Sequence, residues 1–212
     1  MKCMICQSKE TEHFNTLDKK AYWKCDGCHG IFLDSIHHLQ NNAEKVRYLE
    51  HNNLVDDPRY RKFLSKLAVP LKTKLASGSE GLDYGCGPGP ALADMLTLDG
   101  FKLNLYDPFF FPDQEALIKS YQFIVCTETA EHFYKPFEEF NKLDALLLPG
   151  GWLGVMTTFL SSSDDFESWY YRRDPTHVCF YSEETLQIIA DQRGWSLEIP
   201  AKDIALFQKK AL

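Results

Sequence analysis

Apolar positions recur at three- and four-residue steps from Tyr60 through Phe63, Leu64 and Leu67 to Leu71, which places them on one face of a helix. Pro58 suits the first turn of that helix, with Asp56 or Asp57 as its cap. Beyond residue 76 the pattern changes to short apolar runs alternating with longer amphipathic stretches. Gly81 to Tyr84 reads as a strand entering a glycine loop, and Ala91 to Leu98 as the helix leaving it, ended by Gly100. Leu103 to Tyr106 reads as the next strand, stopping at Asp107-Pro108. Phe123 to Cys126 has the unbroken apolar character of a strand buried on both faces. Phe137 to Leu148 reads as helix up to Pro149-Gly150-Gly151, Trp152 to Thr157 as strand, and Glu183 to Arg193 as helix. Two strands near Ser196–Ile199 and Ile204–Gln208 close the chain. Such alternation predicts an α/β fold around a mostly parallel, doubly wound sheet, with ligands at the carboxyl ends of its strands.

The first 36 residues lack such periods and carry Cys3-x2-Cys6 and Cys25-x2-Cys28, 18 residues apart. Two such pairs have the spacing of a zinc ribbon, in which four thiolates hold one tetrahedral ion. His13 and His29 are spare ligands at most; unmetallated buried thiols and a redox CxxC pair are the rival readings. So small a segment builds little core of its own, so its fold would rest on the metal. The expected organisation is therefore a ribbon over 1–36, a helical linker or lid over 37–76, and an α/β domain over 77–212.

Composition narrows the function classes. With 44% hydrophobic and 25% charged residues, the chain of 212 reads as one soluble globular protein. It shows neither an apolar run of membrane-span length nor a signal-peptide pattern, so the expected compartment is the cytoplasm, where cysteines stay reduced. A net charge of −7 argues against a nucleic-acid partner, and Arg172-Arg173 is the one candidate basic patch. Over residues 1–53 seven basic residues balance seven acidic ones, so the ribbon offers no basic face. It is expected to pack over a substrate entrance or to mediate a protein contact.

The loop Gly85-Cys86-Gly87-Pro88-Gly89 follows a strand and opens a helix, the context that gives a glycine motif weight. Its glycines let backbone approach a ligand, and Asp107, 22 residues beyond Gly85, is placed to accept hydrogen bonds from ribose hydroxyls. A dinucleotide site wants a third glycine where this chain has Pro90. Gly81 to Gly89 resembles the first motif of class I S-adenosylmethionine-dependent methyltransferases. Phe123 to Phe133 resembles their fourth-strand motif, and Leu146 to Leu153 the helix-turn-strand that follows. The resemblance covers about residues 80–160 and implies a seven-stranded sheet whose last strand is antiparallel. It also implies that Asp83, Gly85, Cys86, Gly87 and Gly89 border the methionine part of the cofactor, Asp107 the ribose, and Cys126-Thr127 the sulfonium. One departure stands out: only 15 residues separate Asp107 from the Phe123 strand, so the family's third strand must be very short or irregular.

Methyl transfer from a sulfonium is an in-line displacement that needs a base only when the acceptor must lose a proton. His132, after the fourth strand, and His177, before the Glu183 helix, lie on the expected ligand side. Glu128, Glu131 and His132 form E-x-x-E-H, similar to the magnesium-binding motif of ubiquinone-pathway O-methyltransferases and small-RNA 2′-O-methyltransferases, with His177 available to complete the site. Three readings stand side by side: magnesium at Glu128, Glu131, His132 and His177; a metal-free base; or a pair that merely orders the loop, with Glu128 contacting the cofactor. The aromatic runs Phe109-Phe110-Phe111 and Trp169-Tyr170-Tyr171 flank the expected cleft as acceptor wall or as core. The expected function is methyl transfer from S-adenosylmethionine to oxygen or carbon of a small-molecule acceptor. The rivals are an RNA methyltransferase reading its substrate through the ribbon, a non-catalytic cofactor-binding scaffold, and a nicotinamide oxidoreductase.

Overall fold

The computed structural model describes residues 1–50, 54–161 and 165–211. Positions 51–53 of the expected helical zone, and 162–164 and 212 of the expected α/β domain, lie outside the described residues.

The chain begins with an antiparallel hairpin of β1 (Thr11–Leu17) and β2 (Lys20–Cys25), followed by β3 (Ile31–Leu33) against β2. Asp18 and Lys19 both have positive φ, as a two-residue turn matching strand twist requires. Helix α1 (Asn41–Leu49) leads to α2 (Pro58–Lys72), where Asp57 caps by accepting from the Arg59 amide. α2 buries Leu64, Leu67, Ala68 and Leu71, the face that periodicity marked. Then come β4 (Glu80–Tyr84), α3 (Ala91–Leu98), β5 (Lys102–Tyr106) and β6 (Tyr121–Thr127). α4 (Pro136–Leu146), β7 (Leu147–Met156), the two-residue β8 (Cys179–Phe180), α5 (Glu183–Arg193), β9 (Ser196–Ala201) and β10 (Ile204–Gln208) complete the fold.

The main sheet has six strands in the order β5-β4-β6-β7-β10-β9. β5, β4, β6 and β7 are parallel, and β10 runs antiparallel between β7 and β9. Seven strands were the expectation; the described residues form six. After β5 the chain makes a tight turn capped by Asp107, then a short 3-10 turn at Gln114–Leu117. A parallel neighbour needs a crossover of a dozen residues or more, and too few remain here for an outward crossover, a strand and a return. A second difference lies at Pro149-Gly150-Gly151, which belongs to β7 rather than to a helix end. The Gly150 amide donates to the Lys209 carbonyl and the Lys209 amide to that of Gly151, which draws the chain into the sheet from Leu147 onward.

Alternation along the strands sends successive side chains to opposite faces. Phe123, Val125, Trp152, Met156, Ile204 and Leu206 pack under α2 and α3, while Ile124, Cys126, Leu153, Val155 and Phe207 pack under α4 and α5. Each fully buried side chain of this size contributes about 1.5–3 kcal/mol. The cysteine-bearing lobe shares the second of these cores, because β3 pairs with β8 and brings Ile5, Tyr22 and Phe32 against Phe166, Trp169 and Phe180. Among the described residues no helix is long and apolar enough to cross a membrane.

Candidate active site

The carboxyl ends of β4, β5 and β6 open into a cleft of ≈ 760 Å³ whose far wall comes from α1 and α2. The glycine loop forms its floor. Gly85 has φ +80, and a Cβ there would lie 2.2 Å from Thr129 Cγ2. Thr129 is held in place because its hydroxyl donates toward the carbonyls of Gly85 (3.1 Å) and Thr127 (2.9 Å). Gly87, at φ +63, faces open space. Its amide donates to Asp107 Oδ2 at 3.0 Å, while Asp107 Oδ1 accepts from the amides of Phe109 (2.8 Å) and Phe110 (3.0 Å). Three of about four lone-pair positions on this carboxylate are therefore occupied by backbone, which locks its orientation.

Two other acids border the cleft in unusual states. Asp83 is 3% exposed, and burial, aided by Asp107, pushes its pKa up to about 7. Glu128 rises to about 9 through burial and the nearby carboxylates of Glu131 and Asp203, against the opposing effect of Lys66. Its backbone sits at φ +48, a conformation costing a non-glycine residue roughly 1–3 kcal/mol, and its amide donates to the Met156 carbonyl.

Beyond Glu128 a short 3-10 turn carries Glu131 and His132. Glu131 is fully buried: Oε1 accepts from the Tyr171 hydroxyl at 2.6 Å, and Oε2 has no hydrogen-bond partner among the described residues. His132 Nδ1 faces the Thr176 carbonyl at 3.0 Å, and His177 Nδ1 faces the Tyr171 carbonyl at 2.7 Å. Each Nδ1 must donate to its carbonyl, so in the neutral rings Nε2 carries the lone pair. The two rings lie 4.8 Å apart, and ligand atoms of Glu131, His132 and His177 all fall within 4.8 Å of one another. Of the four residues expected from E-x-x-E-H and His177, these three come together; Glu128 does not join them, although Glu131 is the charge it feels most, ahead of Asp203 and Lys66.

Burial holds the His177 pKa below its ordinary 6.5, with His132 adding to the fall and Glu131 opposing it. The unfolded chain therefore takes up this proton first as pH drops, and stability contributed by neutral His177 is lost from about pH 6.5 downward. In a proton NMR titration the His177 ring is expected to titrate below 6.5; a midpoint at or above that value would contradict the buried, neutral assignment.

Sequence reasoning missed the wall above these histidines. Tyr48 of α1 packs edge-on against His132 at 5.2 Å and donates to the buried Glu44 at 2.7 Å. Arg47 ties α1 to Asp174 through two bonds of 3.1 and 2.8 Å, and Asp174 in turn accepts from the Thr176 amide and hydroxyl. The signal available was the four-residue step from Glu44 to Tyr48 and the turn-forming Asp174-Pro175-Thr176.

Other expectations fare differently. Phe109, Phe110, Cys86, Gly89 and Thr127 line the cleft, whereas Cys126 is fully buried beneath the sheet and does not. Trp169 belongs to the core with Phe166 and Phe180, and Tyr170 faces solvent. Arg172 is no surface patch: it is buried, pairs with Asp18 at 3.0 Å and donates to the carbonyls of Phe166 and Glu167.

Cys3, Cys6, Cys25 and Cys28 form a second cluster, with Cys3 Sγ 3.8 Å from Cys28 Sγ and Cys6 Sγ 3.5 Å from Cys25 Sγ. A tetrahedron with Zn–S arms of 2.3 Å has edges of about 3.8 Å, so the four sulfurs fit a zinc ion. Both knuckles end alike, Gln7 and His29 following in left-handed conformation, and the Ile5 and Cys6 amides point at Cys3 Sγ.

Residues 48–198, more than half of the chain, match the model of the methyltransferase domain family. No curated protein sequence matches the chain. Among solved structures, 1,6-didemethyltoxoflavin-N1-methyltransferase from Burkholderia thailandensis, with 1,6-didemethyltoxoflavin and S-adenosylhomocysteine bound, is 12% identical over 94% of this chain and 99% of its own, with TM-score 0.53. The N-methyltransferase NodS from Bradyrhizobium japonicum, in complex with S-adenosylhomocysteine, is 15% identical over 79% and 97%, with TM-score 0.50. An O-methyltransferase family protein from Burkholderia thailandensis is 12% identical over 79% of this chain and 63% of its own, with TM-score 0.53. Fold and family model together define a methyltransferase. The chain belongs to the methyltransferase domain family.

Proposed function

We propose that the protein methylates oxygen or carbon of a small, uncharged or cationic acceptor, with His177 or His132 taking the acceptor's proton. The observation that carries this reading is the pair of histidines lining the same cleft as the glycine loop, each with Nδ1 bonded to a carbonyl, beside the buried Glu131. Bound S-adenosylmethionine supplies an electrophilic methyl on a positively charged sulfur. With the donor bound, the acceptor lone pair would take that methyl as the carbon–sulfur pair returned to sulfur, and the imidazole would receive the released proton. In this reading Asp83 and the loop 85–89 hold the methionine part and Asp107 the ribose, with Thr127 and Glu128 near the sulfonium. Six acids against two lysines line the cleft, and Lys142 is already bonded to Glu139, which disfavours an anionic acceptor.

A second reading is favoured by the orphan Glu131 Oε2. One carboxylate and two imidazoles, each anchored through Nδ1–H to a carbonyl, suit a divalent transition ion better than magnesium, which prefers an all-oxygen shell. Such an ion would acidify a bound acceptor hydroxyl. The cysteine cluster holds structural zinc in either case.

Calorimetry tests the donor half. The sulfonium cation beside Asp83 and Glu128 favours their ionised forms, so binding S-adenosylmethionine at about pH 8 is expected to release about one proton, chiefly from Glu128, and S-adenosylhomocysteine, whose sulfur is uncharged, fewer. The apparent enthalpy should then change with the buffer's ionisation enthalpy. Binding of NAD in its place, or of neither ligand, would sink the proposal.

A further inference from the structure

β8 is a strand that the main sheet does not own. Its partner is β3 of the cysteine-bearing lobe, with Ile31 opposite Phe180 and Phe32 opposite Cys179. It begins two residues after His177, and the chain leading to it from β7 forms no other strand among the described residues. Val178, between the histidine and the strand, is bonded on both sides: the Leu33 amide donates to its carbonyl at 2.9 Å, and its own amide donates to the Glu131 carbonyl at 2.8 Å. One residue thus links the lobe to the turn that carries Glu131 and His132. Further bonds point the same way. Met4, inside the first cysteine knuckle, lies 3.6 Å from Cys179 Sγ and accepts through its carbonyl from the Phe137 amide; Asp18 of the lobe hairpin receives Arg172. Among the described residues the glycine loop, Asp83 and Asp107 make no such bond to the lobe.

We infer that the lobe is the brace that positions His177, so that a metal on the four cysteines governs the acceptor wall of the cleft while leaving the cofactor floor alone. Leu33, Met4 and Asp18 are positioning residues in this scheme. The physical reason is the weakness of the segment itself. The chain from residue 165 to 178 has one 3-10 turn; Val178 alone bonds backbone to backbone with distant chain, and the other anchors are side chains, Arg172 on Asp18, Asp174 on Arg47 and Tyr171 on Glu131. A two-residue strand is secure only against a fixed template, and β3 is fixed through β2, which ends at Cys25. This inference rests on the proposed role of His177 for its functional meaning, but the link itself is measurable without any methyl transfer.

Hydrogen exchange read by mass spectrometry on the full chain provides the test, before and after zinc is withdrawn with a chelator. Amides of 176–181 are expected to lose protection roughly tenfold or more, together with those of 20–33, while 81–84 and 121–127 change by less than about threefold. Affinity for S-adenosylhomocysteine should hold within about threefold. Retained protection over 176–181 beside a deprotected lobe would overturn the inference. Metal analysis that finds no ion on the cysteines would overturn the metal's control; should chelation unfold the whole chain, Leu33→Pro decides, since it removes the donor to Val178 with the cysteines intact. It is expected to abolish the slowly exchanging Nδ1–H signal of His177 in NMR and leave S-adenosylhomocysteine binding in place. An unchanged His177 signal in that variant would refute the brace.

Discussion

Gly85→Ala is expected to cost about 2–5 kcal/mol of stability and to abolish S-adenosylhomocysteine binding at concentrations that saturate the native protein. Two effects add. A left-handed backbone penalises any L side chain by about 1–2 kcal/mol, and here φ is +80. The new Cβ would also meet Thr129 at 2.2 Å, and Thr129 cannot rotate away without giving up its bonds to the Gly85 and Thr127 carbonyls. Overpacking of this kind costs about 1–3 kcal/mol more. Gly87→Ala is the matched control, because it shares the sign of φ (+63) but points into open space. It should cost only about 1–2 kcal/mol. Thermal unfolding and calorimetry on both variants give the comparison. Equal losses would mean that backbone conformation alone matters and that the Thr129 contact is irrelevant.

The second large effect concerns the histidines. With any acceptor that the native enzyme turns over, His177→Ala or His132→Ala should lower kcat by roughly 10²–10⁴, the usual contribution of a positioned general base. Affinity for S-adenosylhomocysteine should stay unchanged. Because His177 holds its proton less readily than usual, the acid limb of the native profile should lie below pH 6.5. Glu131→Gln separates the two proposed modes. It keeps an acceptor for the Tyr171 hydroxyl but removes the charge, so a metal-assisted reaction would fall with the histidine variants and lose bound ion, whereas a metal-free base would keep most of its rate. Full turnover in both histidine variants would remove them from the chemistry.

The parts that the sequence made legible are those where one physical requirement selects one residue type. Positive φ beside a strand end wants glycine at 85 and 87, a doubly covered strand wants the unbroken Phe123–Cys126 run, and paired knuckles want four cysteines at fixed spacing. Pro58 and Asp57 fixed the start of α2 for the same reason. What stayed hidden depended on partners distant in sequence. Arg47 meets Asp174 and Arg172 meets Asp18 across more than a hundred residues, and no local pattern announces either pair. β8 is too short to show a period, so the joining of the lobe to the segment that carries His177 was invisible. Cys126 shows the limit of positional transfer: its neighbour Thr127 lines the cleft, but strand alternation sends Cys126 into the opposite core.

The shortened connection after β5 has one more consequence. With no strand beyond it among the described residues, β5 ends the sheet, and a bare strand edge invites another chain to add itself there. Here the outer margin carries exposed Lys102, while the Asn104 amide reaches Glu80 and its carbonyl oxygen receives Lys119. This rail of polar side chains makes edge-to-edge stacking of two molecules unfavourable. Guarding this edge thus falls to a few surface residues outside the cleft.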